Sequence, residues 1–375
     1  MYPARPASTR RGEARNFRLP LDMLLTFLAC MPPVGTAATD TSGDSDTATD
    51  TGETGDSADT ADTGDTDTGE PPVPGKLDEC LASNTDLTER WSVDVGAALG
   101  GAPSRIVWTS DVLAAVDGDY VVTFDLPDAA TGNLELRGSI SAPAFADLRP
   151  DGHGNLVLLG AGGLRTVNAA TGAEVAAASL TTALTHLADS SEGMRAWSTS
   201  DVVSYVPATG ASAAVGPALT VVSSLGGSAA GDFAAGWASR TLAVAFDDPK
   251  DGPRYVVSGD VQSAFGDAVG VVPLATGGAI VLGGPDGYAW SNTVDAAGVP
   301  SAGTQLESPG IHSVTGAPSS AWAWALMDGF GVVAFSRSNY AMPTHADAVD
   351  LWVDPTATWL LTLDAAGVVH RFECE

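Results

Sequence analysis

Val349–Cys374, VDLWVDPTATWLLTLDAAGVVHRFEC, reads as three β-strands of a four-stranded unit whose last strand is missing. Its apolar runs are too short for helices, alternate with polar residues, and are separated by Asp-Pro and Asp-Ala-Ala-Gly turns. The missing strand has to come from elsewhere in the chain. Arg90–Gly96, RWSVDVG, is an alternating segment with no hairpin partner just before it, placed where the apolar part of the chain begins. Pairing these two ends would close the chain into a ring and remove the open sheet edge that an unpaired last strand would leave.

Working inward from the end, the same pattern of apolar strand, tight turn and second strand recurs about every 40 residues. It appears at 111–124, 155–167, 194–206, 233–246, 278–290, 321–335 and 358–372, the copy at 111–124 reading DVLAAVDGDYVVTF. Several copies run on into a second turn, Asp128-Ala-Ala-Thr-Gly132, Asn168-Ala-Ala-Thr-Gly172, Pro207-Ala-Thr-Gly210 and Asp295-Ala-Ala-Gly298, followed by weaker outer strands such as Asn133–Ile140 and Arg254–Val261. Inner strands are expected to open near Arg105, Ala142, Leu184, Thr220, Ala268, Ile311 and Val349. A repeat of this length, all strands and sharp turns, predicts an all-β fold: a β-propeller of seven four-stranded blades over residues 77–375, closed by its N-terminal strand.

The N-terminal residues differ in composition. Residues 1–30 carry five arginines ahead of a short apolar run ending Phe27-Leu28-Ala29-Cys30, too short to span a bilayer and suited to an export signal. Its end resembles a bacterial lipobox, in which a small residue precedes an acylated cysteine, and so implies lipid attachment at Cys30 and anchoring at the outer membrane or cell surface. Residues 31–76 are a polar linker. Within it, Asp40–Glu70 holds 11 acidic residues, no basic ones and no apolar residue larger than alanine, so it cannot bury enough surface to offset chain entropy and reads as a disordered, extended tether.

Charge narrows the partners. The whole chain carries −29; the leader contributes +3 and the tether −11, leaving −21 for residues 71–375 from 12 basic and 33 acidic side chains. Such a field repels phosphate backbones, which excludes nucleic acid, and it opposes electrostatic attachment to an anionic membrane. Of the three cysteines, Cys80 stands just before the closing strand and Cys374 at the end of the strand it should join, so with Cys30 acylated the other two are expected to form a disulfide in an exported protein.

The Asn168-Ala-Ala-Thr-Gly172 turn and the Gly-Leu-Arg-Thr-Val run before it resemble pyrroloquinoline-quinone-type propeller repeats, and residues 90–374 as a whole look like a bacterial propeller of that broad group. The resemblance implies a fold and not an activity, because related propellers include enzymes and scaffolds. Ala173-Glu174-Val175 stands where those repeats carry a tryptophan, so quinone binding is not implied, and WD-repeat signatures are absent.

No nucleophile motif, phosphate-binding loop or zinc-spaced Cys/His set occurs. His186 and His312 fall on expected inner strands and would face each other across the channel, whereas His153 and His370 have no evident catalytic partner. Trp108, Trp197, Trp237, Trp324, Trp352 and Trp359 lie inside strands, where packing between blades calls for large apolar side chains. The turns between the two middle strands should project from one face, bringing Asp117, Asp119, Asp201, Asp286, Asp328 and Asp364 to one rim as a cation or partner site; Asp also favours such turns in its own right. The expected protein is a monomeric, non-catalytic binding or scaffold module for an envelope or extracellular protein or ligand, without a cofactor unless Ca2+ binds the rim. The alternative is a lyase or hydrolase with a cation-assisted site at the channel mouth.

Overall fold

The computed structural model describes residues 75–110, 112–125, 134–190, 193–215, 221–228, 231–238, 241–248, 252–257, 268–275, 277–283, 289–295, 300–306, 310–337, 339–344 and 348–375. Among these, the strands form seven four-stranded antiparallel sheets. In six of them the strands follow chain order, the first sheet comprising Arg105–Thr109, Val112–Asp117, Tyr120–Asp125 and Leu136–Ser141. The inner strands of the remaining five are Asp147–Pro150, His186–Ser190, Val221–Ser228, Ala268–Pro273 and Ile311–Gly316. The last sheet takes Ala348–Val353, Trp359–Asp364 and Val368–Glu373 from the end of the chain and Thr88–Asp94 from its beginning. Each inner strand touches the next, and Ala348–Val353 touches Arg105–Thr109, so the sheets go round a central channel. The fold is an all-β propeller.

The closing strand pairs antiparallel to Val368–Glu373, with Thr88 opposite Glu373, Ser92 opposite His370 and Asp94 opposite Val368. It is displaced two residues from the expected Arg90–Gly96. Asp94 ends it by becoming the cap of a short helix, Val95–Leu99, its Oδ1 accepting the Ala97 N–H at 2.7 Å, while the Gly96 N–H donates to the Gly367 carbonyl at 3.0 Å. A second helix, Lys76–Ser83, lies in what the sequence assigned partly to linker. Leu77, Cys80 and Leu81 recur at helical spacing and are buried against the sixth and seventh sheets.

The seven predicted hairpins are the second and third strands of the seven sheets. Val112–Val116, Ala323–Met327 and Gly331–Phe335 are buried throughout, because a neighbouring sheet covers each face, whereas the outer strands Leu136–Ser141 and Ser212–Val215 are mostly exposed. Two inner strands begin later than expected. Sheet two opens at Asp147 rather than near Ala142, since Pro143 has no N–H for a ladder and Ala144 adopts φ +49°. Sheet three opens at His186 rather than Leu184.

One core cluster runs through the closing strand and sheets seven, one and two, from Trp91 and Trp108 to Leu156, Leu361 and Val369. Trp108 stands edge-on to Trp359 at 5.0 Å and Trp352 lies 5.0 Å from Trp359, so tryptophans cement the join. Trp197 and Trp324 are buried as well, and the side chain of Trp237 lies outside the described residues. At the end of the chain Cys80 and Cys374 form a disulfide across a Cα separation of 5.9 Å. Cys30 lies outside the described residues, in which no helix is long and apolar enough to cross a membrane.

Candidate functional site: the channel and its upper mouth

Inner strands begin at one face of the ring, here called upper, which also carries the turns between second and third strands; the lower face carries the turns between first and second strands. At the upper mouth a cavity of about 400 Å³ opens into the channel, lined on one side by Arg105, Arg149, His186 and Trp197 and on the other by Val269, His312 and Val314. A second cavity of about 740 Å³ occupies the lower mouth, and both Arg105 and Arg149 line it as well.

Carboxylates on the inner strands fasten neighbouring sheets together. Asp350, buried in sheet seven, accepts the Ile106 N–H of sheet one at 2.7 Å. Asp147, buried in sheet two, accepts its own neighbour's N–H at Leu148 (2.8 Å) and the Leu187 N–H of sheet three at 2.6 Å, and it also pairs with Arg105. Arg105 thus bridges the charges of Asp147 and Asp350. Burial pushes the Asp350 carboxyl up to about 6; the Arg105 charge and the amides of Ile106 and Leu351 oppose that rise without cancelling it. Burial lowers the Arg105 guanidinium, which Asp350 opposes.

Further along the channel, Asp189 reaches channel solvent yet is surrounded by protein, and this enclosure raises its carboxyl pKa against the pull of Arg149. His186 stacks on Trp197 at 4.5 Å, and its pKa is lowered first by burial and then by the charges of Arg105 and Arg149, which favours neutral imidazole. The charged wall therefore belongs to sheets seven, one, two and three. The opposite wall mixes the small apolar Val269, Gly270 and Val314 with the polar His312, Ser313 and Thr315.

His186 and His312 do line the same cavity, as expected, and His312 Nε2 pairs with Asp328, one of the predicted rim residues. Three other rim carboxylates bond backbone or hydroxyl groups. Asp119 Oδ1 accepts the Ala144 N–H at 3.1 Å, Asp201 takes hydroxyl bonds from Ser200 (2.7 Å) and Ser198, and Asp364 Oδ1 accepts the N–H groups of Ala366 and Val368, each at 2.8 Å. Asp117 is exposed, and Asp286 lies outside the described residues. Among the described residues no group of three or more His, Cys, Asp or Glu side chains could hold a metal ion. His153 sits in a turn closed by its N–H to Asp151 Oδ1 at 2.7 Å, and His370 lies 3.4 Å from Glu89 of the closing strand.

The Asn168-Ala-Ala-Thr-Gly172 turn has a local cause. Asn168 Oδ1 accepts the Thr171 N–H and hydroxyl, both at 3.0 Å, and Gly172 turns the chain at φ +68°. The charged inner-strand residues Arg105, Asp147, Arg149, Asp189 and Asp350 were not anticipated. For Arg105, Asp147 and Asp350 the signal was a charged residue directly before Ile or Leu near the strand start, as in Arg105-Ile106, Asp147-Leu148 and Asp350-Leu351, whereas Arg149 and Asp189 stand before Pro150 and Ser190 and lack it.

Solved structures resemble this architecture at low identity. The WD40 domain of Pan2 from Neurospora crassa superposes with a TM-score of 0.56 and 13% identity, over 77% of this chain and 95% of that one. A chain of the mitotic checkpoint complex superposes with a TM-score of 0.54 and 11% identity, over 76% of this chain and 91% of that one. The likeness is one of fold alone. No family model matches the chain, and no curated protein does.

Proposed function

We propose that this protein is an exported, lipid-anchored β-propeller that acts as a non-catalytic binding or scaffold module at the cell envelope. The observation that carries the export reading is the Cys80–Cys374 disulfide, since structural disulfides persist in oxidising compartments outside the cytosol. The Arg-rich leader and Leu28-Ala29-Cys30 supply the anchor, and the acidic residues 40–70 supply the spacer. The binding role is supported by the likeness to WD40 propellers, one of them a chain of a multiprotein complex. The partner would be an envelope or extracellular protein, met by a monomer; the finer likeness to quinone-type repeats rests on the Asn168–Gly172 turn.

The helix Lys76–Ser83 is fastened to the lower face. The Leu77 N–H donates to the Ala357 carbonyl at 3.0 Å, and Asp78 accepts the Ser320 hydroxyl at 2.7 Å and the Ala321 N–H at 2.8 Å, all on lower-face turns. Growth with a labelled fatty acid tests the anchor: label is expected on the wild type and not on Cys30→Ser, and equal labelling of both refutes it. Capture from native envelopes with the purified propeller tests the binding role, and loss of capture on blocking the upper face is expected. Calcium titration followed by thermal melting tests the rim carboxylates as a cation site.

A further inference from the structure

Pro71-Pro72-Val73-Pro74 immediately precedes the described residues, and the fold fixes the point at which it joins the propeller. Gly75 is buried against the lower turn of sheet seven, where a Cβ would stand 2.4 Å from the Ala357 carbonyl oxygen and 2.6 Å from that of Thr356. Its backbone, φ −66° and ψ 159°, is that of a polyproline II helix, the conformation that prolines favour. From there the helix Lys76–Ser83 runs outward. Leu77 is bonded to Ala357 on the inner turn, whereas Cys80 is bridged to Cys374 at the end of the third strand, and Leu87 donates to the Pro343 carbonyl of an outer strand at 3.1 Å. Gly75 is thus the channel end of that helix.

The lower mouth lies beside it. Its cavity of about 740 Å³ is lined by the exposed Pro318 and Pro355, the partly buried Trp359, and by Trp108, Trp352 and Thr356, the last also facing Gly75. Trp108 Nε1 already donates to the Ser110 carbonyl at 2.9 Å. The indole N–H groups of Trp352 and Trp359 have no acceptor among the described residues, and neither is sealed from solvent. A segment with three prolines complements them, because every residue offers a carbonyl and only Val73 an N–H, in a conformation set before binding.

We propose that Pro71–Pro74 seats across the lower mouth of its own channel, its rings against Trp359, Pro355 and Pro318 and its carbonyls on the indole N–H groups of Trp352 and Trp359. At about 3.1 Å per residue, four residues reach roughly 12 Å from Gly75, enough to pass from the turn of sheet seven over the rim. The segment is uncharged, so the acidic field of the domain does not oppose the seat. Seated there, it closes the lower mouth and leaves the channel open at the upper one. The contact is independent of lipid attachment and of any protein partner.

The test follows the indole N–H signals of the full-length, 15N-labelled protein by NMR, those of Trp352 and Trp359 being assigned from Trp352→Phe and Trp359→Phe. Replacing Pro71, Pro72 and Pro74 together by serine (P71S/P72S/P74S) should shift both signals and speed their exchange with water severalfold, with the Trp197 signal and the circular dichroism unchanged. A synthetic peptide of residues 70–75 should bind this triple variant with a dissociation constant of about a millimolar or tighter, and the wild type about tenfold more weakly or worse, because the attached segment already fills the seat. Adding Pro318→Glu to the triple variant should weaken the peptide about tenfold. Where a Trp→Phe variant fails to fold, the peptide measurements decide alone. The proposal is overturned if the two indole signals of the triple variant coincide with those of the wild type, or if the peptide binds both proteins equally or neither. It is also overturned if the wild-type signals move with protein concentration, which would give the seat to a second copy of the chain.

Discussion

Asp350→Asn isolates one electrostatic feature of the ring. In the folded protein the Asp350 carboxyl is pushed from 3.8 up to about 6 by burial between sheets seven and one. The unfolded chain therefore holds fewer protons on this group than the folded one between about pH 4 and 6, and stability must fall as pH rises through that window. Below the window the group is neutral in both states and imposes no penalty. Above it the group is ionised in both, and the penalty is complete. A shift of about two pH units corresponds to roughly 3 kcal/mol. Asparagine retains an oxygen to accept the Ile106 N–H but cannot ionise, so its stability should lack this slope. Urea unfolding at a series of pH values from 4 to 7, followed by tryptophan fluorescence, measures the difference between the two proteins. The difference should change by roughly 3 kcal/mol across the window, most of it between pH 4 and 6. Parallel stability curves for wild type and Asp350→Asn would refute the assignment of this penalty to Asp350.

Reducing the Cys80–Cys374 bond frees a loop spanning 294 positions and should cost up to roughly 5 to 6 kcal/mol by chain entropy, read as a lower urea midpoint in dithiothreitol; an unchanged midpoint contradicts it. Gly163→Ala should destabilise by about 2 kcal/mol or more, because Gly163 has φ +108° and a Cβ there would stand 2.2 Å from the Ala178 carbonyl oxygen; a melting temperature equal to wild type refutes this. Asp78→Ala should cost about 1–3 kcal/mol by stranding the Ser320 hydroxyl and the Ala321 N–H, with Asp78→Asn milder, and thermal melting distinguishes the two.

The hairpins were legible because apolar runs of about five residues such as Val112–Val116 end in Asp-Gly or Gly-Gly, and no helix fits between such turns. Ring closure was legible from an unpartnered strand at each end. Its register was not: Asp94 looks like one more alternating residue in the sequence, and only the amide of Ala97 makes it a cap. The helix Lys76–Ser83 was hidden by its brevity, although Leu77, Cys80 and Leu81 carry the helical period. The channel was the least legible part. Each inner strand was read for its apolar residues, yet the lining is set by the polar ones at its start, and which of them meet depends on contacts between sheets over 40 residues apart, such as Asp147 with Arg105. The rim carboxylates were legible as a set of turns; Asp201 and Asp364 bond hydroxyl and backbone groups within their own turns, whereas Asp119 accepts the Ala144 N–H, 25 residues on.

Hydrogen exchange read by mass spectrometry tests ring closure most directly. If Thr88–Asp94 is the fourth strand of the last sheet, its amides should exchange as slowly as those of Val368–Glu373 and lose protection together with them as urea is added. Exchange of residues 88–94 at the rate of an open chain, with residues 359–364 still protected, would contradict a propeller closed by its N-terminal strand.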